Sequence, residues 1–262
     1  MPVNLLFVGD VVGRAGRQIL GQQLDRLVDQ HAVDFIVVNG ENAAGGFGLT
    51  MEVVREFRKL GVHAITTGNH IWDKREFIPE LDRCPDVLRP GNYPDGTPGR
   101  GCAVFETNTG IRVAVINLEG RVFMSTLECP FRKADAYLEE LAGKADVVFV
   151  DFHAEATSEK MALAHYLDGR VSALIGTHTH VPTADAHILP AGTAYQTDAG
   201  MTGSRDSVIG IRKEIAVEKF VTQLPARFEV AKKDPMLCAV LVAIDESTGL
   251  ASAIERIMVL DS

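Results

Sequence analysis

What restricts this chain most is a set of short, unbroken apolar runs. VNLLFVG (3–9), DFIVVNG (34–40), DVVFVDF (146–152) and VSALIG (171–176) lack the polar alternation of a half-wetted strand. Runs of this kind are strands covered on both faces. HAITTG (63–68) reads as a further strand, and CAVFE (102–106) and IRVAVINL (111–118) as two joined by the turn TNTG. Between them lie stretches with helical spacing. Ile19, Leu20, Leu24, Leu27 and Val28 predict a helix over about 15–30, and Thr50 is the N-cap of one over 50–59. Others are predicted near 74–82, 131–142, 157–168 and 211–221. At the C-terminus MLCAVLVAIDE (236–246) and ASAIERIMVL (251–260) flank STG and read as an antiparallel pair. Strand–helix alternation in both halves implies an α/β layered fold. The predicted form is one domain over 1–262, with two mixed β-sheets packed together and flanked by helices. A single doubly wound sheet is the alternative. In either, ligands gather beyond the carboxyl ends of the strands.

Composition narrows the function classes. No apolar run reaches ~18 residues, so no membrane-spanning helix and no membrane partner is expected. The N-terminus, MPVNLLFVGD, lacks the basic region and cleavage site of a secretory signal. The net charge of -9 argues against a broad basic face for duplex nucleic acid. It leaves room for a small anionic substrate, because a bound metal dominates its local field. Cys84, Cys102, Cys129 and Cys238 are scattered, with no C-x-x-C, and read as reduced thiols of a cytoplasmic protein.

The polar residues that follow the buried runs carry the chemistry. Asp10 follows the first strand, Glu41 and Asn42 the second, Asn69 and His70 the third, His153 the run DVVFVD, and His178 and His180 the run VSALIG. If the strands lie in sheets as predicted, these groups meet on one rim. Two carboxylates, two amides and four imidazoles exceed the needs of one tetrahedral ion. They suit two divalent ions sharing a bridging carboxylate, a pair able to clamp a phosphate. Nitrogen and oxygen donors without thiolate favour iron, manganese or zinc. Each position has a plainer reading too. Asp10 could cap the following helix, Glu41–Asn42 and Asn69–His70 could be turn residues, and His153 could be a core histidine. His178 and His180 point to the same side if the backbone there is extended. His31, His63, His165 and His187 read as structural or surface residues.

In order and spacing these residues resemble the calcineurin-like metallophosphoesterases. The superfamily pattern is Asp-x-His, Gly-Asp, Gly-Asn-His, a further His, and Gly-His-x-His. Its counterparts here are Gly9–Asp10, Gly40–Glu41–Asn42, Gly68–Asn69–His70, His153 and His178-x-His180. Val12 stands where the first histidine is usual, and Glu41 where the bridging aspartate is. Both departures, with NGENAAGGFG, TTGNHIWD, IGTHTHVPTAD and TDAGMTG, resemble the YmdB-like branch, which is similar to 2′,3′-cyclic nucleotide phosphodiesterases. The resemblance implies a four-layer αββα sandwich and two divalent ions, iron or manganese first and zinc next. One ion would take Asp10, Glu41, His180 and Asn42; the other would take Glu41 as bridge, Asn69, His153 and His178. A bridging hydroxide would attack phosphorus while His70, as general acid, protonates the departing ribose oxygen. The implied partner is a small phosphodiester or cyclic nucleotide, with a homo-oligomer open. A metal-binding regulatory or RNA-related protein with incidental hydrolysis, and a phosphomonoesterase or pyrophosphatase, remain as alternatives.

Overall fold

The computed structural model describes residues 2–261. The first half runs β1 (Pro2–Val8), α1 (Gly13–His31), β2 (Phe35–Asn39), α2 (Met51–Lys59), β3 (Ala64–Thr66) and β4 (Val87–Leu88). There follow β5 (Cys102–Glu106), β6 (Arg112–Glu119), α3 (Pro130–Leu141), β7 (Val147–His153), α4 (Thr157–Leu167) and β8 (Ala173–Thr177). The chain ends with β9 (His187–Ile188), β10 (Ala194–Gln196), β11 (Gly203–Ser204), α5 (Lys213–Thr222), β12 (Pro235–Asp245) and β13 (Ala251–Leu260).

One sheet has the order β11-β12-β1-β2-β3-β4, with β13 also on β12; the other has the order β5-β6-β7-β8-β10-β9. Both are mixed. β1, β2 and β3 are parallel neighbours, as are β6, β7 and β8, while β12 runs antiparallel to β1 and β13. Side chains alternate across each strand, so every central strand serves two cores. Leu6 and Val8 of β1 face Ile19, Leu20 and Leu24 of α1 and Val53 and Phe57 of α2. Leu5 and Phe7 face the other way, into a core between the sheets with Val113, Phe149 and Ile175. Phe7 and Phe149 meet there with ring centroids 4.9 Å apart. The far side of the second sheet packs Ile116, Val150 and Phe152 on Leu163 and Leu167 of α4. The result is the αββα sandwich, and two-sided burial is why the strands read as unbroken apolar runs.

The helix expected over 74–82 is absent. That region holds two short 3-10 turns, Asn69–Trp72 and Ile78–Arg83. Pro79 and Pro85 leave too few residues between them, and a residue before proline is pushed out of the helical region; Cys84 sits at ψ 81°. Among the described residues no helix is long and apolar enough to cross a membrane. All four cysteines are free thiols.

Candidate metal centre

Parallel pairing sends the carboxyl ends of β1, β2, β3, β7 and β8 to one rim of the sandwich. All eight predicted residues follow those ends, and they come together. Asp10, Glu41 and His153 are fully buried, and His178 and His180 are half-buried.

The first group surrounds His153 Nε2. Glu41 Oε1 lies 3.2 Å from it, Asn69 Oδ1 3.1 Å and His178 Nδ1 3.1 Å. The tautomers follow from the neighbours. Thr177 Oγ1 donates to Asp151 Oδ1 at 2.7 Å, so at 2.9 Å it accepts from His153 Nδ1–H. That leaves Nε2 as the ligand-side atom. His178 Nε2 lies 3.1 Å from Glu155 Oε2, an acceptor, which leaves Nδ1 facing His153. Ligand atoms ~2.0–2.2 Å from one ion stand roughly 3.0–3.6 Å apart, and the three distances from His153 Nε2 fall in that range.

The second group is Asp10, Glu41 and His180. His180 Nδ1 donates to the Ile209 carbonyl at 2.8 Å, so Nε2 faces Asp10 Oδ1 at 3.9 Å. Asn42 Nδ2 sits 3.1 Å from that Nε2 and donates to Glu41 Oε1 at 2.9 Å. The nitrogen of Asn42 thus faces the cluster, and a half-turn of the amide is needed for its oxygen to do so. Asp10 Oδ1 and Asn42 Oδ1 are buried without a hydrogen-bond partner. A buried orphan oxygen is costly unless something positive meets it. Asp10 does not cap α1: Val12 holds the cap position, with no side-chain bond. Val12 is buried with Met201, Met236 and Cys238 and lines the pocket over the cluster, with no donor atom to offer a metal.

Electrostatics set Glu41 apart. Burial pushes its carboxyl up, but the charge and hydrogen bond of His153, with His70 and His178, outweigh it and hold it at about 2. Burial pushes Asp10 above its usual range, with His180 and His153 opposing. Burial and then His153 bring His178 down to about 3, so its ring is neutral and free to ligate at neutral pH.

His70 stands on the rim. Its Nδ1 lies 2.9 Å from Asp73 Oδ2, and the Phe47 ring is 5.0 Å away. Its backbone N–H donates to Glu41 Oε2 at 3.3 Å. Gly68, just before, has to be glycine: an added Cβ would lie 2.2 Å from the His153 ring and 2.3 Å from Glu41 Oε2. The pocket over the cluster measures about 290 Å³, and its lining includes Phe47, Ile209, Ile211 and Phe228.

His178 and His180 are not on an extended strand. Their φ angles are 98° and 66°, left-handed values that cost free energy for non-glycine residues. The two rings therefore diverge into separate donor groups. Asp198 holds this turn, accepting from Thr179 N and Oγ1 at 3.0 and 2.8 Å. Lys160, fully buried, donates to Thr177 O at 2.7 Å and to Asp198 at 2.8 Å. Sequence reasoning missed Lys160, Asp198, Asp151, Asp73 and Glu155. Asp151 left a signal, a lone carboxylate inside the run DVVFVDF; Asn39, Thr66 and Thr177 donate to it.

The set of carboxylate, imidazole and amide donors, with no thiolate, fits divalent cations. The chain matches the profile of YmdB-like proteins over residues 6–257. It is 48% identical over 259 residues to the 2′,3′-cyclic-nucleotide 2′-phosphodiesterase of Bacillus subtilis (strain 168), covering 99% of this chain and 98% of that one. Among crystal structures, a hypothetical protein from Thermus thermophilus superposes with TM-score 0.93 at 44% identity, covering 99% and 100% of the two chains. A novel phosphatase from Mycoplasma pneumoniae does so with TM-score 0.93 at 35% identity, covering 99% and 94%. Matched by the profile along nearly its whole length, and by full-length relatives at this identity, the chain belongs to the YmdB-like protein family.

Proposed function

We propose that the protein is a phosphodiesterase that holds two divalent ions and opens 2′,3′-cyclic nucleotides. The observation that carries this reading is Glu41, the one side chain common to both donor groups. In this reading Asp10, Glu41, His180 and a turned Asn42 hold one ion, and Glu41, Asn69, His153 and His178 the other. Iron or manganese suits the donors best. Two such ions supply Lewis-acid neutralisation of phosphate oxygens and make water acidic enough to attack. The chain's own residues do the rest. His70 lines the pocket. With Nδ1–H committed to Asp73, it donates from Nε2 to the departing ribose oxygen, and the Asp73 carboxylate stabilises the imidazolium. The apolar wall of Phe47, Ile209, Ile211 and Phe228 takes the base.

The pocket also favours a diester over a monoester. Among the described residues it is lined by no arginine or lysine, and Glu155 adds negative charge. A dianionic monoester calls for such a cation; a monoanionic diester does not. The relative named above as a cyclic-nucleotide phosphodiesterase supports the same substrate class. The scattered free thiols support a cytoplasmic setting, and the exposed edge of β13, with Met258 and Leu260, supports self-association. Parallel assays on a cyclic nucleotide, a phosphomonoester and pyrophosphate, before and after chelation, test the activity. Metal-dependent cleavage of the cyclic nucleotide is expected; activity that survives chelation would sink the reading.

A further inference from the structure

The 290 Å³ pocket opens beside a larger cleft of about 1040 Å³. The cleft is lined by Arg14, Arg212, Lys213, Arg227, Lys232 and Lys233, and Phe228 lines both spaces. The lining also holds three carboxylates, which commit two of these cations: Arg212 pairs with Glu229 at 2.9 Å and Glu214 at 3.7 Å, and Lys213 with Asp206 at 2.6 Å. Among the described residues, Arg14, Arg227, Lys232 and Lys233 form no ion pair. In a chain of net charge -9, this concentrates free positive charge next to a phosphoester site. The sizes differ in a useful way. Small-molecule sites measure roughly 300–1,000 Å³, so the pocket suits one nucleotide and the cleft holds more. A basic groove beside an aromatic ring is the pairing that takes single-stranded nucleic acid. Phe228 is 38% exposed, and Lys219 Nζ sits 4.4 Å from its ring centroid.

We infer that the cleft receives the phosphodiester chain upstream of the terminal nucleotide, making short single-stranded RNA ending in a 2′,3′-cyclic phosphate the preferred substrate. This rests on the proposed activity and extends it. A 2′,3′-cyclic phosphate needs a 2′-oxygen, so the polymer is RNA. The reaction is unchanged: water adds across one P–O bond of the ring, the freed ribose oxygen takes a proton, and the end becomes a phosphomonoester. Free cyclic mononucleotides are then the smallest members of the class.

The test compares metal-loaded wild type with R227A/K232A/K233A on 2′,3′-cyclic AMP and on a tetranucleotide with a 2′,3′-cyclic end. Wild type is expected to favour the tetranucleotide in kcat/KM by about tenfold or more, and the variant to lose about that factor on it alone. The log–log salt dependence for the tetranucleotide should become shallower by about 2, since each single-strand phosphate contact contributes about 0.7. Cyclic AMP turnover should stay within about twofold, because these side chains lie outside the pocket. Equal turnover of both substrates by wild type, or equal losses in the variant, overturns the cleft assignment and leaves the activity standing. If wild type cleaves neither, the proposed activity fails instead, and anisotropy of the labelled tetranucleotide decides the cleft. Salt-sensitive binding weakened in the variant supports it; binding unchanged by the substitutions overturns it.

Discussion

Glu41 and His70 lie close together, yet they fail in different ways when replaced. Glu41→Gln keeps the volume and removes the charge shared by both donor groups, so it should lose metal and activity together. Outer partners of a metal site cost about 10–100-fold, and a shared ligand at least the upper figure in kcat/KM. His70→Gln should retain the full metal content while kcat falls by about 10²–10⁴-fold. Metal analysis beside kinetics separates them; a His70→Gln protein that has lost its metal would contradict the division of roles. His153 supplies a pH test. Burial pushes its ring down, but Glu41 and then Asp10 and Asp151 raise it to about 9 in the metal-free protein. A raised value means that the proton is held at neutral pH and lost only as pH climbs through about 9. An ion that takes Nε2 must displace that proton, so affinity should increase with pH up to about 9 and then level. Calorimetry in buffers of different ionisation heat should show about one proton released near pH 7.5. Affinity independent of pH below that plateau would contradict the assignment.

At the scale of elements, the site is built from strand ends, and one of them depends on a buried ion pair. Lys160 of α4 reaches both Asp198 and the Thr177 carbonyl, and Asp198 grips Thr179 between the two left-handed histidines. Removing one partner of a buried pair costs about 3–5 kcal/mol, because the other is left uncompensated. Lys160→Met should therefore lower stability by about that much and reduce metal content as well. Denaturant unfolding and metal analysis check both, and a stable, fully metallated variant would show that the pair does not hold the turn. The buried strands were readable in the sequence because a strand covered on both faces leaves an unbroken apolar run, and their ends pointed to the eight polar residues that the fold gathers at one rim. The turn was not readable. Alternation along a strand placed His178 and His180 side by side, whereas left-handed backbone at both sends them apart. Lys160 was not readable either, since nothing local marks a lysine whose partner is 38 residues away. The helix expected near 74–82 failed because Pro79 falls inside it and Pro85 follows closely.

Across the whole molecule, two sheets each contribute strand ends to one cluster, and the fold concentrates buried carboxylates there. Asp10, Glu41 and Asp151 are all fully buried, and burial pushes Asp151 up to about 7 against the pull of His153. In the proposed two-ion centre, bound cations would offset that concentration and tie the sheets together. At an ion concentration a hundredfold above Kd, one site adds about 2.7 kcal/mol of stability. Chelation should accordingly lower Tm, and restoring iron or manganese should recover it; a Tm indifferent to chelation would mean that the cluster holds no tight ion. The alternation of strands and helices, and the mixed sheets, followed from the sequence pattern. The basic cleft did not, because Arg14 and residues 227–233 meet only through the fold. The most direct test of the two-ion centre is crystallographic, with anomalous data collected at the edge of the metal found by elemental analysis. Two peaks are expected with Glu41 between them, one beside Asp10 and His180, the other beside Asn69, His153 and His178. A single peak, or none beside Asn69, would contradict it.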